Sequence, residues 1–365
     1  MRKLLGFLFK RPIAFIAEKL SSSPREKEVF GALSRLLRDI RKNKKRKGIT
    51  LEFDSLKDRF IIFSDQHKGI RDGGDDFRGA EKNYLAALSY YNSQEYSFVS
   101  LGDCEELWKN SPEKVMKSND ACFLAENTFL AKNKYYRVFG NHDLIWKYLF
   151  QQRLFLRPVF GRKIKVYEGI LLRTSHNEQE FSIFLTHGHQ GDLRGIGSPF
   201  SIWVVANIWT PIQRYLGVSI NTPATSFVLT DKHNAMMYDW SATQHRLILI
   251  SGHTHKPVFA SLDHIEKLTN QLAKARIAGE SNLIKSLELE INKKKAEYAG
   301  KKQIRRMARP SYFNSGCCCF EDGDITGIEI ADGHIRLVKW NSKEGMPERK
   351  VLEESFLSEI LESLG

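Results

Sequence analysis

The sequence predicts an α/β protein whose chemistry sits at the ends of its central strands. Two observations lead there. Short apolar runs alternate with helical stretches from Leu51 onward, the order that builds a sheet covered by helices. Five of those runs also stop at residues able to hold a metal ion: Phe60–Phe63 before Asp65 and His67, Ser97–Leu101 before Asp103, Tyr135–Phe139 before Asn141, His142 and Asp143, Phe181–Thr186 before His187, and Arg246–Ser251 before His253 and His255. Open α/β sheets build their sites at the carboxyl ends of strands. One such run would say little, but five are informative.

In chain order, residues 1–48 read as a basic amphipathic N-terminal region. Its first twenty residues mix Leu, Phe and Ile with Arg2, Lys3, Lys10, Arg11 and Lys19. The longest apolar stretch, Leu4–Phe9, is too short to span a bilayer or to form a signal-peptide core. This segment suits a membrane interface, or equally a helix packed on its own domain. After the break at Ser21–Pro24, Val29, Leu33, Leu36, Leu37 and Ile40 recur at helical spacing and predict a helix over 25–42. The run Arg41–Lys47 then places six basic residues in seven. That is either a solvated helix end or a patch attracted to anionic headgroups at roughly 1 kcal/mol per charge.

The main domain is expected over 49–345, with helices near 79–92 and 112–133. Ile164–Thr174 and Phe181–Thr186 read as neighbouring strands joined by a polar turn at 175–179. A long apolar insertion, about 192–245, carries Trp203 and Trp209 and reads as a helical cap over the site, or else as a subdomain core. A second insertion, about 263–309, keeps Ile265, Leu268 and Leu272, then Ile284, Leu287 and Ile291, at helical spacing on either side of Gly279. That predicts a charged helical hairpin for packing or partner contact. Strands return at 311–316, 325–330 and 335–340, and residues 346–365 read as a C-terminal helix.

Composition narrows the class. Hydrophobic residues at 42% and charged residues at 27% describe an ordinary globular protein. The net charge of +13 is concentrated: residues 1–47 hold fifteen Lys/Arg against four Asp/Glu, and residues 263–309 hold twelve against six, so the remainder is mildly acidic. The overall charge is therefore a poor argument for nucleic acid, and no specific nucleic-acid motif is present. Cys104, Cys122 and Cys317–Cys319 lack both a disulfide framework and CxxC spacing, as expected of buried thiols in a reducing compartment. The expected location is cytoplasmic, with peripheral contact at the inner face of the membrane through residues 1–47.

The strand-end residues form a metal-ligand set. Carboxylate, imidazole and amide oxygen without thiolate suit Mn²⁺, Fe or Zn²⁺, with Mn²⁺ the first expectation, and they disfavour a structural zinc site. On chemical grounds Asp65, His67 and His255 would hold one divalent ion and Asn141, His187 and His253 a second, with Asp103 bridging them. Glycines at 102, 140, 188 and 252 would let the backbone approach closely.

At these residues the chain resembles the calcineurin-like metallophosphoesterase superfamily. The motifs are Asp65-Gln-His67, Gly102-Asp103, Gly140-Asn-His-Asp143, His187-Gly188 and Gly252-His-Thr-His255. The resemblance implies a sandwich of two mixed β-sheets flanked by helices, with two divalent metals at one edge. It also implies hydrolysis of phosphoester or phosphoanhydride bonds by metal-activated hydroxide. His142 carries over as the residue that stabilises the transition state or protonates the leaving oxygen, and Asp143 as the group that orients it. His189, Asp192 and Arg194 follow His187 closely and are candidate substrate contacts.

A basic interfacial segment and an apolar cap favour a lipid-like phosphorylated substrate at a membrane surface. The layout is similar to that of UDP-2,3-diacylglucosamine pyrophosphohydrolases. It differs in having His142 where those enzymes typically have Arg, and in placing its long insertion after the His187 motif. A soluble phosphodiesterase or phosphoprotein phosphatase is the alternative, and a non-catalytic scaffold of the same fold the third reading.

Overall fold

The computed structural model describes residues 25–44, 46–191, 227–261, 264–297 and 309–365. The proposed interfacial segment before residue 25 and most of the expected cap, 192–226, lie outside them.

Two mixed sheets pack face to face with helices on both outer surfaces. The first has seven strands in the order β12-β11-β10-β2-β3-β4-β5, and the second has five in the order β1-β6-β7-β8-β9. In the first, β2 (Phe60–Phe63), β3 (Ser97–Leu101), β4 (Tyr135–Val138) and β5 (Val166–Tyr167) run parallel. Against β2 lies the antiparallel set β10 (Ile325–Ala331), β11 (His334–Lys343) and β12 (Met346–Phe356). The second sheet holds β1 (Gly48–Glu52), β6 (Gly169–His176), β7 (Gln179–Thr186), β8 (Leu247–Ser251) and β9 (Tyr312–Asn314).

The apolar runs are continuous because these strands are covered on both faces. Phe60 and Ile62 point between the sheets, where they meet Ile170, Ile183, Ile248 and Ile250. Ile61 and Phe63 point the other way, into a core with Tyr84, Leu88, Tyr91 and Phe129. Tyr84, Leu88 and Tyr91 come from α2 (Glu81–Ser93). The stretch expected as one helix over 112–133 breaks into α3 (Pro112–Ser118) and α4 (Asp120–Ala131), with Asn119 between them donating to Gly69 and Val115 carbonyls at 2.8 Å.

Helix α1 (Glu26–Arg41) buries Val29, Leu33, Leu36, Leu37 and Ile40, the five residues at helical spacing. It lays them on the outer face of the second sheet beside Met236, Met237 and Trp240 of α5 (Phe227–Ala242). Residues 26–41 thus belong to the core and are not a detached appendage. Turn residues Asn177 and Glu178, both at positive φ (48° and 62°), close the β6–β7 hairpin as a primed two-residue turn requires.

The charged insertion forms the expected hairpin, α6 (His264–Ala278) and α7 (Ser281–Glu297), reversing at Gly279 with φ +73°. Leu268, Leu272, Ala275, Leu287 and Ile291 close its own apolar seam. The C terminus differs from expectation. Residues 346–356 are the edge strand β12, and only α8 (Leu357–Ser363) is helical. Its charged residues imitate a solvated helix, but pairing with β11 along its length supplies the hydrogen bonds that fix it as a strand.

Candidate metal centre

Five strands of the two sheets hand the residues that follow them to one edge of the sandwich. Asp65 and His67 follow β2, Asp103 follows β3, Asn141 and His142 follow β4, His187 follows β7, and His253 and His255 follow β8. The turns are sharp: Asp65, His67, Asp103, His253 and His255 all have φ between 49° and 70°. Left-handed backbone at non-glycine residues costs on the order of 1–2 kcal/mol each, so the surrounding packing holds these loops in place. Gly140 is required sterically, since a Cβ there would lie 2.1 Å from Asp103 Oδ1.

The ligand candidates converge. His67 Nε2 and His255 Nε2 are 3.2 Å apart, and Asp65 Oδ1 lies 3.8 Å from the first and 3.3 Å from the second. Asp103 Oδ2 lies 3.7 Å from His67 Nε2 and 3.2 Å from His187 Nε2, so this carboxylate stands between the two groups. Asn141 Oδ1 is 3.2 Å from His187 Nε2. Donor atoms of Asp103, His187 and His253 fall within 4.8 Å of one another. The His187 ring is fixed by Nδ1 donating to the Leu101 carbonyl at 2.9 Å, which leaves its Nε2 lone pair facing the site.

These residues fit divalent cations. Asp65 Oδ1 is buried with no hydrogen-bond partner, an arrangement that is costly unless a cation or proton answers it. A proton on a neighbouring imidazole is the alternative. Burial opposes charging His187, but Asp103 and Asp65 raise it to about 9. Burial likewise opposes His255, which Cys317 and Asp65 bring to about 10. His67 is also raised, against burial, by Asp65 and Glu106. His253 goes the other way, lowered by burial and by the nearby His233 and His187, so its ring is neutral and its nitrogen free to ligate.

His142 sits beside this cluster, its ring 4.6 Å from that of His67. Its backbone N–H donates to Asp103 Oδ1 at 2.8 Å. The group that orients its imidazole is not Asp143. Nδ1 contacts Glu106 Oε2 at 2.9 Å and Oε1 at 3.0 Å, and the indole of Trp108 stacks on the ring at 4.1 Å. Burial would raise the Glu106 carboxyl, but His142 and Lys109 hold it well below the usual range. Asp143 instead accepts from the Gly140 N–H at 2.6 Å and the Cys104 N–H at 3.0 Å, bracing the loops that carry the ligands. Its short side chain is consumed by those amides and cannot also reach the imidazole. Burial, with Glu105 and Asp103, lifts Asp143 to about 6.

Beneath the ligands lies a charged cluster that the linear pattern did not mark. Lys68, Glu105, Glu126 and Arg137 are fully buried and paired: Lys68 with Glu126 and Glu105, Arg137 with Glu105. Tyr84 and Tyr135 donate to Glu126, and the Trp146 indole donates to Glu105. Cys319 Sγ lies 3.9 Å from His255 Nδ1, so the cysteine run borders the site. His189 is buried next to His187, and burial and the His187 charge push it down to about 3. Asp192 and Arg194 lie outside the described residues.

A family model described as calcineurin-like phosphoesterase matches residues 58–257. The chain belongs to that family. Its members bind two divalent metals, in keeping with the His/Asp clusters at this edge of the sandwich. Among solved structures, it is similar to vacuolar protein sorting 29 from Cryptosporidium parvum, with 13% identity over 82% of this chain and 99% of that one, at a TM-score of 0.30. A Vps29 single mutant from Entamoeba histolytica shows 14% identity over 80% and 98% of the two chains, at 0.29. A dimetal phosphatase from Danio rerio shows 10% identity over 82% and 100%, at 0.31. None of the curated proteins matches this family member in sequence. Among the described residues, no helix is long and apolar enough to cross a membrane.

Proposed function

We propose that this phosphoesterase-family chain is a two-metal hydrolase of phosphoester or phosphoanhydride bonds. Its substrate in this reading is lipid-like and met at a membrane surface. The observation that carries hydrolysis is the placement of Asp103 between two ligand groups with the Glu106–His142 pair alongside. Asp65, His67 and His255 would hold one ion, and Asn141, His187 and His253 the other, with Mn²⁺ the first choice among hard and borderline cations. Bound there, the ions would supply Lewis-acid polarisation of the phosphoryl group and acidify a water.

The chain's own residues do the rest. His142, with Nδ1 held by Glu106, keeps Nε2 to donate a proton or hydrogen bond to the leaving oxygen. Asp143 keeps the Gly140 and Cys104 amides in place, so the ligand loops hold their spacing. Trp108 limits tilting of the imidazole by covering one face.

The lipid-surface part rests on the basic apolar segment before residue 25 and the apolar insertion after His187. The first test is hydrolysis of bis(p-nitrophenyl) phosphate and p-nitrophenyl phosphate with Mn²⁺, beside Asp103→Asn and His142→Ala. Turnover abolished by both substitutions is the expected result. Turnover that survives either would refute the assignment. For the membrane part, the full chain should float with anionic vesicles, and failure to do so would leave a soluble phosphodiesterase or phosphatase.

A further inference from the structure

Between Leu144 and Tyr167 the chain carries six Lys/Arg and no Asp or Glu. The first part of this stretch, a 3-10 turn Leu144–Lys147 and a helical run over 149–160, begins directly after Asp143. It is firmly anchored. Trp146 is buried and its indole donates to Glu105 at 2.8 Å, while Gln152 donates back to the Trp146 carbonyl at 2.6 Å. Leu156 and Phe160 are buried in the core under the first sheet.

The outer face does not look like that of a water-facing helix. Tyr148, Leu149, Phe150 and Leu154 are exposed at 61, 39, 69 and 50%, four large apolar side chains within seven residues. Isolated exposed apolar residues are ordinary, but a cluster marks a contact surface. Lys147, Arg153 and Arg157 lie exposed among them. Apolar and aromatic side chains rimmed by basic ones, on a rigid helix, are the pattern of a segment lying in the headgroup layer of an anionic bilayer. Charge complementarity selects the occupant, since a stretch with six basic residues and no acidic one matches an anionic surface. The segment starts at Leu144, directly behind the Gly140–Asp143 loop that carries Asn141 and His142, which puts it next to the metal centre.

We propose that residues 147–165 are a membrane-docking surface that seats the molecule on an anionic lipid bilayer with the metal centre facing the headgroups. This deepens the lipid-surface reading above, yet its measurement is independent of turnover, because docking is read whether or not a lipid is cleaved.

The test uses the full chain carrying a nitroxide on Phe150→Cys. The five native thiols are buried, so labelling is selective. Vesicles are phosphatidylcholine alone or with phosphatidylglycerol. The expected result is a lipid-depth signal on the anionic vesicles only. A label on Met346→Cys, exposed at the β11–β12 turn, should remain in water. Adding Arg153→Gln and Arg157→Gln should demand roughly thirtyfold more anionic vesicle for the same signal, at about 1 kcal/mol per lost basic charge, with the unfolding midpoint unchanged.

An aqueous Phe150 label on vesicles that do bind the protein would overturn the proposal and assign docking to another segment. Shielding of the label before vesicles are added would also overturn it, showing the face covered by the chain itself or by a second copy. So would shielding by RNA but not by vesicles.

Discussion

Glu106→Gln tests the catalytic reading most sharply, because it alters one proton-accepting group and almost no volume. In the structure both Glu106 oxygens lie 2.9–3.0 Å from His142 Nδ1. A hydrogen bond to a charged group is worth about 1.5–3 kcal/mol, so if it supports His142 in the transition state, kcat should fall about 10- to 150-fold. Removing His142 outright should cost about 10²- to 10⁴-fold, the range for a general acid. The two losses should not add. Once the imidazole is gone the carboxylate has nothing to orient, so the double variant should match His142→Ala within about threefold. The assay is kcat on a generic phosphodiester with saturating Mn²⁺, with metal content measured for each variant. That second readout matters because Glu106 also lies 3.5 Å from His67 Nδ1. Additive losses, or loss of a metal equivalent in Glu106→Gln, would refute the pairing and place Glu106 behind the metal instead.

Further outcomes follow from the same geometry. Gly140→Ala would push a Cβ into Asp103, so metal affinity by titration calorimetry should fall by about 10- to 100-fold with the circular dichroism spectrum retained. Lys68→Met would strand Glu126 without its buried cation, and urea unfolding should show a loss of about 3–5 kcal/mol. Metal binding should release protons near neutral pH, because His187 and His255, raised to about 9 and 10, must give theirs up. Apparent affinity should therefore climb as pH rises from 6 toward 9, and calorimetry in buffers of different ionisation enthalpy would expose a pH-independent affinity if this is wrong.

The linear order was enough to read the parallel strands and the ligands that follow them. Phe60–Phe63 or Leu247–Ile250 is apolar throughout because both faces are buried, and Asp65 or His253 is polar because the chain leaves the sheet there. Helix α1 and the α6–α7 hairpin were legible for a similar reason, since their apolar spacing is local. What local pattern could not supply was anything made by two distant segments meeting. Glu106 reaches His142 across 36 positions, and in sequence it is one of two adjacent glutamates; a carboxylate three residues past Asp103 was the only available hint.

Lys68, Glu105, Glu126 and Arg137 carry no local signal that marks them as partners. Only the fold buries them together, where each makes the others tolerable. Edge strand β12 was missed because its charged residues carry no apolar alternation, and its strand identity comes from β11. The sequence by itself determined the α/β class, the order of the ligands and the chemistry they suit, because backbone direction and side-chain type are local properties. The tertiary structure decided which carboxylate holds His142, because that contact exists only where two strand-end loops come within 3 Å of each other.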